Sequence, residues 1–347
     1  MTLIERINSF SELGTILRDA LDGKPAIHSE ELISLINNQQ FKNPWFTPEN
    51  VRLALRSIAN ELTPESLRIW TSEYEIPDTV PDSLNVGVIM AGNIPLVGFH
   101  DFISVLITGN RIIAKPSSKD EDLIVFTGKL LSEINPGFAN MMEFRTGLLS
   151  GFDAVIATGS NNSSRYFEYY FGRYPHIIRK NRNSLAVIEG TENEQELRDL
   201  GKDIFSYFGL GCRNVSKIFI PSGFDIFSLK NFWAEYSCVM EHNKYANNYD
   251  YHKAIYMVNR ELFTDYDFIL LRKSSELASP VAVLNYENYN SLEKLDAGIS
   301  SEKERIQCVT GHRYTPFGMS QAPKLWDYAD GIDTVEFLLK KNSSGIL

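Results

Sequence analysis

NVGVIMAGNIPLVGFHDFISVLITGNRIIAKPSSK, residues 85–119, contains two short apolar runs, 86–90 and 111–115, each ending on a polar turn. The segment between them is long enough for a turn and a helix. Strands joined this way cannot pair as a hairpin; they become parallel neighbours linked by a crossover. The first run ends in Ala91-Gly92-Asn93-Ile94-Pro95, a tight turn opening a helix, and the second in Lys115-Pro116-Ser117-Ser118-Lys119. Further apolar runs follow at 141–145, 154–157, 185–188, 217–220, 268–271, 281–285 and 306–310, with helix-length segments between most of them. The fold class expected is therefore α/β, a mainly parallel sheet covered on both faces. Residues before 85 read as helices. Thr47-Pro48-Glu49 and Thr63-Pro64-Glu65 each combine an N-cap with proline at the first helical position. Val51, Leu55, Ile58 and Leu62 line one helical face.

At 347 residues, 43% hydrophobic and 22% charged, the chain can fill two ordinary domain cores. Its net charge of −10 and the lack of a long Lys/Arg run exclude an obvious nucleic-acid or anionic-membrane binder. Cys212, Cys238 and Cys308 lie too far apart for a disulfide framework or a zinc site. His28, His100, His176, His242, His252 and His312 form no i, i+4 pair, so no metal is expected. No apolar stretch reaches membrane-spanning length, and the opening Met-Thr-Leu-Ile-Glu-Arg is unlike a signal peptide. A cytoplasmic protein is the expectation.

A parallel sheet binds its ligands beyond the C-terminal ends of its strands. Besides the two turns quoted first, Thr158-Gly159-Ser160 stands at such an end, before a helix-like stretch. A Gly-Ser turn at a helix N-terminus suits a pyrophosphate, and Lys115 suits a ribose hydroxyl or a phosphate. Each is equally ordinary turn chemistry when taken singly. The chain has no G-x-x-x-x-G-K-[ST] loop. Gly209-Leu210-Gly211 follows a helix-like segment and lacks a third glycine, so it is no dinucleotide fingerprint. Directly after it stands Cys212, in GLGCRNVSKIFIP, residues 209–221. Small neighbours expose this thiol and Arg213 favours its thiolate, though a lone cysteine serves as readily for packing.

The ordered set Gly92-Asn93-Ile94-Pro95, Lys115-Pro116, Thr158-Gly159-Ser160, Gly211-Cys212, Glu276-Leu277-Ala278-Ser279-Pro280-Val281 and Pro316-Phe317-Gly318 resembles the aldehyde dehydrogenase superfamily. More closely it resembles the LuxC-type acyl-CoA (fatty-acyl) reductases. The resemblance runs from about residue 85 to near the C-terminus. It implies a Rossmann-like cofactor domain plus a smaller α/β catalytic domain. The boundaries expected are 1–201 for the N-terminal helices and NAD(P)-binding domain and 202–318 for the catalytic domain. Residues 319–347 are expected to return to the cofactor domain, with a strand at 334–339 making homodimer contacts.

The resemblance also implies roles. Cys212 carries the acyl group, and Asn93 with the Cys212 backbone N–H forms the oxyanion hole. Lys115 meets the adenosine ribose, Gly159 and Ser160 the pyrophosphate, and Glu276 the nicotinamide ribose. Ser118 stands where NAD-preferring relatives carry an acid, which favours NADPH while leaving NADH possible. Hydrolytic relatives place a general-base glutamate where this chain has Ile178-Arg179-Lys180-Asn181-Arg182-Asn183-Ser184. Without that base, water is poorly activated and a thiol such as CoA is the better leaving group and acceptor. The three cations of this stretch are candidates for CoA phosphates. The substrate expected is an acyl-CoA or an acyl-carrier thioester. The alternatives are an acyl-phosphate reductase of the glutamyl-phosphate type, a hydrolytic aldehyde dehydrogenase and a non-catalytic binding subunit. The aromatic stretch 166–174 is expected to pack helices onto the sheet.

Overall fold

The computed structural model describes residues 1–344. The chain divides into two compact units, one of residues 1–181 with the segment from Lys324 onward, the other of residues 182–323.

In the first unit, helices α1 (Leu3–Leu21), α2 (Ser29–Lys42), α3 (Pro48–Glu61) and α4 (Pro64–Ser72) precede the sheet. Their starts follow from sequence. Thr47 Oγ1 accepts from Asn50 N at 3.3 Å and Thr63 Oγ1 from Ser66 N at 3.1 Å, with proline at the first helical position each time. Phe10, Leu13 and Leu17 of α1, Leu55 of α3 and Trp70 of α4 are buried together with the sheet's aliphatic residues in one core. The sheet then alternates with helices: β1 (Asn85–Ile89), α5 (Phe99–Ile107), β2 (Arg111–Lys115), α6 (Glu121–Ile134), β3 (Met142–Phe144), β4 (Ala154–Thr158), α7 (Asn161–Phe171) and β5 (His176–Arg179). All pairings are parallel, in the order β3-β2-β1-β4-β5. That order reverses between β1 and β4.

The second unit holds β6 (Asn183–Val187), α8 (Glu194–Phe205), β7 (Val215–Pro221), α9 (Leu229–Trp233), α10 (Asn243–Asn259), β8 (Thr264–Asp265), β9 (Leu270–Lys273), β10 (Val283–Tyr289), α11 (Leu292–Ser301) and β11 (Ile306–Thr310). Its sheet runs β11-β6-β7-β10-β9-β8, parallel apart from the β8–β9 pair. Phe205, which ends α8, packs against Trp233, Tyr236 and Phe268 in the core.

Three expectations change. The units break at 181/182 and 323/324, not at 201/202 and 318/319. The reason is pairing: β6 belongs between β11 and β7, and the buried Asp203 carboxylate accepts from Gly318 N at 2.8 Å and Ser320 N at 3.0 Å, keeping both residues in the second unit. Residues 334–339 are not a strand but part of helix α12 (Thr334–Ser344), with Val335 and Leu338 fully buried in the first unit's core. The strand-edge argument for a homodimer goes with that strand. The aromatic stretch divides by face: Phe167 and Phe171 are half-buried, their rings tilted against each other and Phe171 edge-on to Phe152, while Tyr166, Tyr169 and Tyr170 are 67%, 83% and 62% exposed.

Candidate active site

Five of the seven candidate residues lie along one edge of the first sheet. Because β2, β1 and β4 are parallel neighbours, with Ile89 paired to both Lys115 and Ala157, their C-terminal ends meet at the same edge. Asn93 follows β1, Lys115 ends β2 with Ser118 in the next turn, and Gly159 and Ser160 border the end of β4. The point where strand order reverses lies between β1 and β4, the place where open α/β sheets leave a ligand crevice.

The turns at this edge are locked to each other. A Cβ on Gly92 would stand 2.5 Å from Ser117 Oγ, so only glycine permits this approach. Leu96 sits in the left-handed region at φ 57°, and its N–H donates to Asp120 Oδ2 at 2.7 Å. Asp120 is buried, and its other oxygen has no hydrogen-bond partner among the described residues. Burial holds its carboxyl well above the ordinary value of 3.8. At β4, a Cβ on Gly159 would lie 2.8 Å from Phe167 and 2.9 Å from Ser163. Ser160 Oγ caps α7 by accepting from Ser163 N at 3.2 Å. The edge thus presents a helix N-terminus behind a close-packed glycine, a half-buried lysine and an exposed Asn93 and Ser118. These groups fit a dinucleotide's phosphates and ribose.

Cys212 and Glu276 belong to the second unit. Cys212 lies in the turn directly before β7, half-buried and outside any disulfide. The turn is built by Asn214, whose Oδ1 accepts from Gly211 N at 2.8 Å while its Nδ2 donates to Ser206 O at 2.7 Å and Asp203 O at 3.1 Å. Between these anchors Tyr207, Phe208 and Gly209 are all left-handed, at φ 51°, 57° and 77°. For the two aromatics that conformation costs on the order of 1–2 kcal/mol apiece. The Cys212 carbonyl accepts from the buried Ser184 Oγ at 2.9 Å.

Glu276 is exposed on the segment joining β9 to β10, beside the buried Leu277. Ser216 Oγ lies 2.8 Å from Leu277 O and 3.3 Å from Ser184 O. The Cys212 turn and the Glu276 segment are therefore anchored on the same two strands, β6 and β7.

The cations of the basic stretch at 178–184 are engaged with the chain itself. Arg179 is buried against Asp101 at 2.7 Å, Ala329 O and Thr334 Oγ1. Lys180 pairs with Glu168 at 2.9 Å, and Arg182 donates to Lys303 O and Ile306 O. Glu189 pairs with Arg313. Among the described residues, no group of three or more His, Cys, Asp or Glu is placed to hold a metal ion, and no helix is long and apolar enough to cross a membrane.

Asp120, Ser184, Asn214, Ser216, Lys217 and Asn285 hold the candidate segments in place, and sequence reasoning missed them. A lysine inside the apolar run of β7 and an asparagine inside that of β10 were visible anomalies.

No family profile and no curated protein sequence matches the chain. Solved structures do. Aldehyde dehydrogenase 21 from Physcomitrella patens, in complex with the reaction product succinate, aligns with a TM-score of 0.65 at 12% identity, over 98% of this chain and 84% of that one. The NAD+ complex of an aldehyde dehydrogenase from Bacillus cereus gives 0.59 at 14% identity, over 89% and 72%. The NAD+ complex of a Mycobacterium tuberculosis aldehyde dehydrogenase gives 0.60 at 13% identity, over 86% and 70%. The chain has the aldehyde dehydrogenase fold.

Proposed function

We propose that this chain, an aldehyde dehydrogenase by fold, reduces an acyl-CoA thioester to the aldehyde through an acyl group carried on Cys212. The observation that supports this most is the turn before β7. There a half-buried thiol stands on a backbone fixed by Asn214 and Ser184, at the cost of two strained aromatic residues.

The Cys212 thiolate attacks the thioester carbonyl. A carbon–sulfur bond forms to the enzyme, the bond to CoA breaks, and CoA leaves with its electron pair to take up a proton. The Asn93 amide and the Cys212 backbone N–H donate to the oxyanion, each such donor being worth about 3 kcal/mol. Lys115, Gly159, Ser160 and Glu276 would hold a nicotinamide cofactor, whose hydride would reduce the Cys212 thioester to a thiohemiacetal. Collapse of that adduct breaks the bond to Cys212, returning the thiolate and releasing aldehyde. The 178–184 stretch has no carboxylate to activate water, which favours exchange with a thiol over hydrolysis. The exposed Ser118, followed by Lys119, leaves room for a 2′-phosphate and favours NADPH over NADH.

Stoichiometry tests the reading. With an acyl-CoA and NADPH, aldehyde, free CoA and oxidised cofactor should accumulate in equal amounts. Turnover of acyl phosphates but not acyl-CoAs would transfer the reading to an acyl-phosphate reductase. Release of free acid would point to hydrolysis.

A further inference from the structure

Lys217 of β7 and Asn285 of β10 stand directly opposite in the sheet register, and both are buried, at 1% and 0% exposure. An ammonium and an amide are costly occupants of a sheet interior unless their hydrogen bonds define something. Here they act on one segment. Lys217 Nζ donates to Ser275 O at 2.9 Å, and Asn285 Nδ2 donates to Glu276 O at 3.1 Å and Ala278 O at 2.8 Å. Ser216 Oγ donates to Leu277 O at 2.8 Å. Four successive carbonyls, 275 to 278, are thus each held by a side chain of β7 or β10.

The clamp is stronger than a solvated loop needs. Leu277 is buried with Leu185, Phe219 and Leu295, which already pins the segment to the sheet. Asn285 Oδ1 remains buried without a partner among the described residues, a cost that an apolar residue would avoid. Lys217 also pairs with Glu287 at 2.5 Å and lies over the Phe219 ring, so its head group is fixed. With Leu277 held inward and both flanking carbonyls fixed, the Glu276 side chain has one direction left, outward from the sheet. Through Ser216 and Ser184 the same framework reaches the Cys212 carbonyl.

We infer that Lys217, Asn285 and Ser216 are positioning residues that hold Glu276 in register with Cys212, setting cofactor binding and hydride transfer but not acyl transfer. This rests on the proposed role of Glu276 at the nicotinamide ribose.

The test is a double-mutant cycle read in NADPH affinity and in discharge of the acyl-enzyme. Asn285→Leu keeps volume and removes two bonds of the clamp; Ser216→Ala removes one hydroxyl and serves where the first variant does not fold. Asn285→Leu and Glu276→Ala are each expected to weaken NADPH binding about tenfold, and to slow discharge up to about a hundredfold, the scale of an ångström misplacement. The double variant should be no worse than Glu276→Ala alone. Labelling of Cys212 by acyl-CoA without cofactor should stay within a few-fold of the parent. Full additivity, or unchanged NADPH affinity in both clamp variants, would overturn the inference. Failure of the parent protein to acylate would instead count against the proposed reaction, and the NADPH-binding cycle would still decide whether the clamp positions Glu276.

Discussion

The Asn214 carboxamide joins Gly211 to Ser206 and Asp203, and so decides how the neighbouring Cys212 is presented. Asn214→Ala leaves several buried backbone groups unsatisfied and should cost about 2 kcal/mol, measurable by denaturant unfolding. Asn93→Ala should lower kcat by about 10²–10³-fold while the acyl group still loads, since only oxyanion stabilisation is lost. Asp120 predicts a pH effect. Its folded carboxyl binds a proton more tightly than the unfolded one, so its contribution to stability falls as pH rises above 3.8 through the raised value. Asp120→Asn, neutral at every pH, should gain in Tm relative to the parent as pH climbs through that window. A difference independent of pH would refute this. Cys212, Glu276 and the five edge residues could be singled out in the sequence because each lies in or beside a turn or connecting segment. The residues that hold them could not, because Ser184 acts on residue 212, Lys217 on residue 275 and Asn285 on residue 276, contacts set by strand pairing.

Among the elements, apolar runs revealed nine of the eleven strands found in the described residues, β1 to β4, β6, β7 and β9 to β11, within a few residues. β5 is hidden in the sequence because it is four residues long and ends in Arg179, whose buried pairing with Asp101 no local pattern announces. Helix α12 resembles a strand in sequence because Val335, Phe337 and Leu339 alternate. Burial follows helical spacing instead, at Val335 and Leu338, and Asp333 Oδ1 accepts from Glu336 N at 2.8 Å. The Asp-x-x-Glu signature of a helix start was the better guide. Close packing of the turns gives a further prediction: Gly92→Ala must displace the Ser117 turn and should weaken oxyanion stabilisation and cofactor binding together. Steady-state kinetics would show kcat falling and the NADPH KM rising, whereas a change in one alone would contradict the coupling.

At the scale of the whole molecule, two units each bury their own large aromatic residues, Trp70 in one and Trp233 in the other. Truncating either to alanine should cost about 3–5 kcal/mol. Hydrogen exchange should show the loosening confined to residues 1–181 and 324–344 for Trp70→Ala and to 182–323 for Trp233→Ala. The α/β class was readable from the order of motifs, as was the presence of more than one compact unit. The true boundary was not, since residues 182–201 are claimed by β6 pairing and residues 318–320 by Asp203. The proposed chemistry turns on whether Cys212 accepts an acyl group. Intact-protein mass after mixing with a panel of acyl-CoAs, without cofactor and beside Cys212→Ala, measures this directly. The prediction is a gain equal to the acyl group, absent from the variant and discharged on adding NADPH. No adduct with any acyl-CoA would contradict it.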